Sequence, residues 1–528
     1  MRAPRRSRAV PEDFASTIAA AYATEAPAIV LGRGVHEGAV SPEAVVQVPL
    51  PMMNRHGLIT GATGTGKTKT LQVIAEQLSA AGVPVFVADV KGDVSGLAAP
   101  GEAGGAAEKR AADIGVPFAP AASPVEYLSL GGIGPGVPVR ATVADFGPQL
   151  LGKILGANET QEQSLTLVFH YADQKGLPLL DLSDLRALLT YLDSDEGKPE
   201  LKGIGGLSPA TVGVLLRSLV GVETGGGSEF FGEPQLDVAD LLRTTPEGRG
   251  VISCLELPAV QDKPKLWSTV LMWLVAELFE SLPEAGDLPK PKLVFFLDEA
   301  HLLFADSTEA FRESIEQTVR LIRSKGVGVF FVTQSSEDVP GTVLAQLGNR
   351  VQHAVRAFTP ADAKALKATV STFPKSDLYD LEELLPQLGI GEAAVTILSE
   401  TGVPTPVVHT RLMPPMSRMA PADGVEAAAK ASPLHAKYAE RVDAQSAREQ
   451  LAGRLAEAAD AAAEPDAAAE APAEPAPDPP ARRRRRKEEA EATQGGLGQL
   501  GDFLTSREGK RVQKQVMRGV FGMLRKRL

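Results

Sequence analysis

The chain has 528 residues, enough for two to four domains, and its 44% apolar content supports a large core. A single cysteine, Cys254, excludes an intrachain disulfide and argues against a cysteine-based zinc site, which fits a reducing compartment. The net charge of −12 is uneven: residues 482–528 carry +9 and the remainder −21, so an acidic body confines any nucleic-acid contact to a pore, a loop or the tail.

Residues 1–27 read as an N-terminal segment with a weak helix. The start is basic, but Pro11-Glu12-Asp13 stands where an apolar leader would begin. The longest strongly apolar stretch, Val270 to Phe279, is too short for a bilayer, so a soluble cytoplasmic protein without a transmembrane segment is expected. Residues 28–56 mix short apolar runs with Gly and Pro and suggest a small β element. The first part of an α/β core follows over 57–145. The strand Gly57-Leu58-Ile59-Thr60 runs into a glycine loop, Thr68 to Ala80 has helical spacing, and Val83 to Ala88 reads as a buried strand ending at Asp89. Residues 92–140 are rich in Gly, Ala and Pro and predict surface loop. Residues 146–249 read as a helical insertion, and 250–415 as the second part of the core. That part holds the strand Lys292 to Leu297, a polar helix Glu309 to Arg323, and the strand Val327 to Val332. Residues 416–500 read as a helix and a disordered Ala/Pro/Glu-rich linker with six consecutive basic residues, Arg482 to Lys487. Residues 501–528 have apolar residues at every fourth position from Val512 to Leu528, a basic amphipathic helix.

The loop Gly61-Ala62-Thr63-Gly64-Thr65-Gly66-Lys67-Thr68 matches the phosphate-binding pattern in full, with a strand before it and a helix after it. Its glycines let backbone amides turn in around phosphate oxygens, Lys67 reaches the β- and γ-phosphates, and the Thr68 hydroxyl ligates Mg²⁺. Thr70 joins the nucleotide-binding set. Val294-Phe295-Phe296-Leu297-Asp298-Glu299 is a buried parallel strand ending in two carboxylates, with Asp298 as second metal anchor and Glu299 as the base that polarises water. A solvated acidic turn is the plain alternative. Gln334, after the strand Val327 to Val332, can contact the γ-phosphate, or simply cap the strand. Asp89 can orient the water or Glu299, or hold a turn. Arg55, Arg320, Arg323 and Arg350 are candidates for the transition-state cation. The histidines show no metal-ligand spacing. Asp298-Glu299-Ala300-His301 spells the DEAH box, but helicases of that class carry two tandem cores and only one P-loop is present here.

These motifs resemble the HerA/FtsK superfamily of RecA-like motor ATPases, nearest to its YjgR-type HerA-like group. The resemblance rests on Asn54 to Thr68, Ala88 to Asp93, Asn158-Glu159-Thr160-Gln161 and Lys290 to Phe304, and covers roughly residues 28–415 plus the terminal helix. It implies a RecA-like core with a mostly parallel sheet, ATP and Mg²⁺ as cofactors, a homo-oligomer (a hexameric ring) and movement along double-stranded DNA. It also implies that Arg55 acts across a subunit interface, with Arg323 as a second arginine, and that Asp89 and Gln334 occupy site positions. HerA proteins carry a substantial N-terminal β-barrel, a departure from this chain's short N-terminus. The expected activity is ATP hydrolysis driving translocation or remodelling of DNA. The alternative is an ATP-driven switch or partner-regulating ATPase that does not move DNA, and a small-molecule kinase is a third reading. The basic tail is a candidate contact for DNA, an anionic surface or a partner protein.

Overall fold

The computed structural model describes residues 14–201, 203–304 and 309–454. The linker from 456, the Arg482–Lys487 tract and the basic segment 501–528 lie outside the described residues. The expected α/β class is the class observed. Among the described residues twelve strands form one sheet. In chain order they are β1 (Ala28–His36), β2 (Ala39–Pro49), β3 (Gly57–Thr60), β4 (Val85–Asp89), β5 (Val125–Leu130), β6 (Val137–Val139), β7 (Ile252–Glu256), β8 (Leu293–Leu297), β9 (Val327–Thr333), β10 (Asn349–Gln352), β11 (Glu392–Thr396) and β12 (Val408–Leu412). Their spatial order is β2-β1-β12-β11-β10-β3-β9-β8-β4-β7-β5-β6. The run from β10 to β6 is parallel throughout, and the remaining strands are antiparallel.

The parallel strands carry unbroken apolar runs because both faces of the sheet are covered. Leu293, Phe295 and Leu297 of β8 enter one core with Val327, Val329 and Phe331 of β9. Val294 and Phe296 enter the other with Phe330 and Val332. This is the two-residue period of a strand feeding two cores at once. The second core reaches the helices α1 (Phe14–Ala21) and α2 (Lys67–Ala80). Phe86 of β4 and Phe295 of β8 stack with ring centroids 4.3 Å apart, and burying each such ring stabilises the fold by about 1.5–3 kcal/mol.

Residues 92–140 differ from the surface loop predicted for them. They contain α3 (Ala106–Asp113) as well as β5 and β6, and Tyr127, Leu128 and Leu130 are buried. The six-residue run Val125–Leu130 lies among glycines and prolines whose composition conceals it. Beyond them come α4 (Val143–Leu155), α5 (Glu159–Lys175), α6 (Leu182–Asp193) and α7 (Pro209–Val222), all packing into the first core. The Asn158-Glu159-Thr160-Gln161 motif starts α5 as a capping box. The Gln161 amide donates to the Asn158 side chain, and the Asn158 amide donates to Gln161 Oε1, each at 3.0 Å.

Residues 416–419 strap across α2. The Glu76 carboxylate accepts the amides of Met416 (2.8 Å) and Ser417 (3.1 Å) and the Ser417 hydroxyl (2.9 Å). Lys69 Nζ donates to the Met419 carbonyl at 2.6 Å, and Gln72 Nε2 to that of Arg418 at 3.4 Å. Among the described residues no helix is long and apolar enough to cross a membrane.

Candidate functional site

Parallel register fixes which residues meet. Thr60 pairs with Thr333, Leu297 with Phe331, Ala88 with Leu297, and Asp89 with Glu256. The carboxyl ends of β3, β9, β8 and β4 therefore bring Gly61, Gln334, Asp298 and Asp89 to one edge of the sheet, where open α/β sheets bind ligands.

The glycine loop needs its glycines. Gly61, Gly64 and Gly66 have φ of +149°, +78° and +115°, in or near the region that side chains rarely enter. At Gly61 a Cβ would also meet His353 Cβ at 2.5 Å. The loop is held from below by its neighbours. Ala62 donates its amide to the Ala354 carbonyl at 2.9 Å, and Gly391 donates to the Thr65 carbonyl at 3.0 Å. Lys67 Nζ turns back to the carbonyls of Gly61 (2.8 Å) and Ala62 (3.3 Å). Burial, and then the charge of Lys91, lower its basicity. Thr63 and Gly64 are exposed at the mouth, Lys67 and Thr68 are half-buried, and α2 begins at Lys67 with its amides free to face an anion. Thr70 is buried, and its hydroxyl bonds the Gly66 carbonyl at 3.3 Å and His353 Nε2 at 2.9 Å, so it braces the loop. His353 is fully buried, and burial pushes its pKa down to about 4, so it is neutral.

Asp298 and Glu299 follow β8. Asp298 is 7% exposed, and Asp298 Oδ1 accepts the Glu299 amide at 2.9 Å. Burial, then the neighbouring Glu299, push its pKa up to about 7. Glu299 adopts φ +50°, a left-handed conformation that strains a glutamate and is characteristic of functional sites. Glu299 Oε1 lies 2.6 Å from Lys91 Nζ, and Oε2 lies 3.4 Å from His301 Nδ1. The Asp298 carboxylate, buried at the end of β8, and the Thr68 hydroxyl, at the start of α2, are hard oxygen donors of the kind Mg²⁺ takes. Thr68 and Asp298 thus fit the ion expected of them.

Asp89 holds a turn. Its Oδ1 accepts the amides of Gly92 (2.7 Å) and Asp93 (3.2 Å), and its Oδ2 those of Val94 (2.9 Å) and Ser95 (3.2 Å). Burial raises its pKa and these amides oppose the rise. The hydrogen bonds of Asp89 are those of a turn, and that turn carries Lys91, which with His301 touches Glu299. Lys91 had no role in the sequence reading, although the Gly92 beside it, with φ +76°, is the signal of a sharp turn presenting its neighbour. Behind it, Cys254 Sγ donates to Glu256 Oε1 at 3.4 Å, and burial followed by Asp89 pushes Glu256 up to about 7. Asp89, Cys254 and Glu256 offer ligand atoms within 4.8 Å of one another.

Gln334 is exposed one residue past β9, beside the loop. Arg55 and Arg323 are elsewhere. Arg55 ends a 3₁₀ turn (Leu50–Arg55) before β3, and Arg323 opens another (Arg323–Lys325) before β9. Both lie at the amino ends of parallel strands, across roughly 13 Å of β3 from the loop. Arg350 donates to the carbonyls of Leu344, Leu347 and Thr372, which is a structural role. His56 Nδ1 accepts the Val329 amide at 3.0 Å, and burial lowers its pKa to about 4.

The family model described as helicase HerA-like C-terminal matches residues 35–527. No curated protein matches. Among solved structures, the bacterial conjugative coupling protein TrwBdeltaN70 in its unbound monoclinic form is 15% identical, with 78% of this chain and 94% of that chain covered at a TM-score of 0.50. The plasmid coupling protein TrwB in complex with ADP and Mg²⁺ is 14% identical over 76% of this chain and 98% of that one, with a TM-score of 0.49. VirB4 of Thermoanaerobacter pseudethanolicus is 16% identical over 74% and 97%, with a TM-score of 0.47. The first of these likenesses shows a shared fold, a mostly parallel sheet of the RecA-like P-loop type.

Proposed function

The chain belongs to the helicase HerA-like C-terminal family, and from that premise we propose that it is an ATP-hydrolysing motor, working as a ring of copies that translocates or remodels double-stranded DNA. The observation that carries the hydrolysis is the convergence of the P-loop with Asp298 and a strained, buried Glu299 on one sheet edge. A phosphate-binding loop alone would serve a binding protein. A carboxylate beside it, held at φ +50°, supports water activation.

The loop amides and Lys67 bind the β- and γ-phosphates, and Lys67 exchanges its own loop carbonyls for phosphate oxygens. Thr68 and Asp298 would hold Mg²⁺, which would supply charge neutralisation at the phosphates. Glu299 takes the proton of the attacking water. Gln334 stands where it can contact the γ-phosphate and register its loss. Thr70 and His353 keep the loop closed from beneath. Arg55 and Arg323, at the far edge of the sheet, serve the site of a neighbouring subunit. Their placement at the amino ends of β3 and β9 supports this reading, because neither arginine can reach across its own sheet to the loop.

The acidic body, net −21 outside the tail, favours a second reading in which ATP turnover drives a switch or a partner without movement on DNA. The two are separated by measuring ATP hydrolysis with and without duplex DNA. Stimulation by DNA, lost in Glu299→Gln, supports the motor. Turnover indifferent to DNA at low and moderate salt supports the switch.

A further inference from the structure

We propose that Lys91 is a positioning residue that holds Glu299 until the γ-phosphate of a bound triphosphate draws the lysine away. The proposal rests on the reading of this site as one that hydrolyses ATP. Lys91 Nζ and Glu299 Oε1 are 2.6 Å apart, with the lysine side chain 49% exposed and the glutamate 12% exposed. One end of the pair is therefore anchored and the other is free to move.

The anchoring is visible on both sides. Glu299 is fixed by its left-handed backbone and by the hydrogen bond its backbone N–H donates to Asp298 Oδ1. The base of Lys91 is fixed by the four amides, Gly92 to Ser95, that converge on the Asp89 carboxylate. Only the methylene stem of Lys91 remains to swing. Its ammonium already bears on the phosphate-binding lysine, because its charge lowers the basicity of Lys67. Two ammonium groups thus face two carboxylates, Asp298 and Glu299, in one crevice.

A γ-phosphate entering beside Lys67 carries more charge and more acceptor oxygens than a carboxylate, and it competes for Lys91. When Lys91 moves, the Glu299 Oε1 that it held is released to accept a hydrogen bond from water. The water oxygen then bonds to the γ-phosphorus as its proton passes to Glu299. The β–γ bridging bond breaks with its electron pair going to the ADP oxygen, and Lys91 keeps its proton throughout. ADP has no γ-phosphate, so in the ADP state Lys91 stays on Glu299. The lysine thereby makes the base responsive to the triphosphate.

The test compares full-length wild type, Lys91→Met and Lys91→Arg. Affinities for ADP and for a non-hydrolysable ATP analogue are measured with steady-state ATP turnover. The expected result is that Lys91→Met loses about tenfold of its preference for the analogue over ADP, while ADP affinity stays within about twofold. Its kcat falls by about ten- to a hundredfold, because no second ammonium then meets the charge on the γ-phosphate, and Lys91→Arg recovers much of both. An analogue-to-ADP ratio unchanged in Lys91→Met, or equal losses for both nucleotides, would overturn the proposal, because a lysine that only shapes the turn behaves that way. Wild-type protein that binds nucleotide without hydrolysing it would overturn the function reading instead, and the affinity ratio would still decide whether Lys91 meets the γ-phosphate.

Discussion

Arg55 and Arg323 are neighbours on the edge of the sheet opposite the P-loop, close enough that the charge of Arg55, after burial, lowers the basicity of Arg323. Two adjacent guanidinium groups repel each other, and Arg55 Nε is buried without a partner among the described residues. Asp287 offsets part of that repulsion at Arg323, and Arg55 still has Nε to offer an anion. The γ-phosphate bound by an adjacent subunit is the anion that a ring would bring there.

Complementation follows from that placement. Arg55→Ala and Glu299→Gln should each lower turnover by about a thousandfold or more. Mixed together, the two variants should regain measurable activity, because some interfaces then combine an intact Glu299 with an intact Arg55. A mixture as inactive as its components would show that both residues act within one subunit.

The strap over α2 gives a stability prediction. Glu76→Ala strands the Met416 and Ser417 amides and the Ser417 hydroxyl, which the carboxylate now accepts. The loss should be about 3 kcal/mol, with faster proteolysis after residue 412. Unchanged protease sensitivity would mean that Lys69 and Gln72 hold the strap without Glu76.

Glu256 gives a pH prediction. Its pKa in the folded protein is pushed up to about 7 from an ordinary value of 4.5. Between those values the folded state binds more protons than the unfolded state, so stability falls as pH rises from about 4.5 through about 7. Glu256→Gln removes this dependence and keeps an oxygen to accept the Cys254 thiol. The variant should show a flatter stability profile over that window and be the more stable form above pH 7, by up to about 3 kcal/mol. A wild-type profile in the variant would assign the titration elsewhere.

Much of this site was legible in the sequence because it is local. A glycine loop between a strand and a helix, or four apolar residues followed by Asp298-Glu299, carries its context within a dozen residues. The burial of β5 was illegible, since Val125–Leu130 is short and its neighbours in the sheet, β7 and β6, are distant or briefer still. The place of Lys91 was hidden for a different reason. Its partner Glu299 follows another strand, and only the pairing of β4 with β8 brings the two together. The position of Arg55 before β3 was plain, but that it faces away from its own P-loop depends on parallel register.

In the proposed function Glu299 drives hydrolysis in a ring that moves along DNA. ATP turnover measured with and without duplex DNA, alongside particle mass, tests it most directly. The expected result is a multi-subunit particle whose hydrolysis rises with DNA and is lost in Glu299→Gln. A monomer in the presence of ATP, with turnover indifferent to duplex DNA at low and moderate salt, would contradict it.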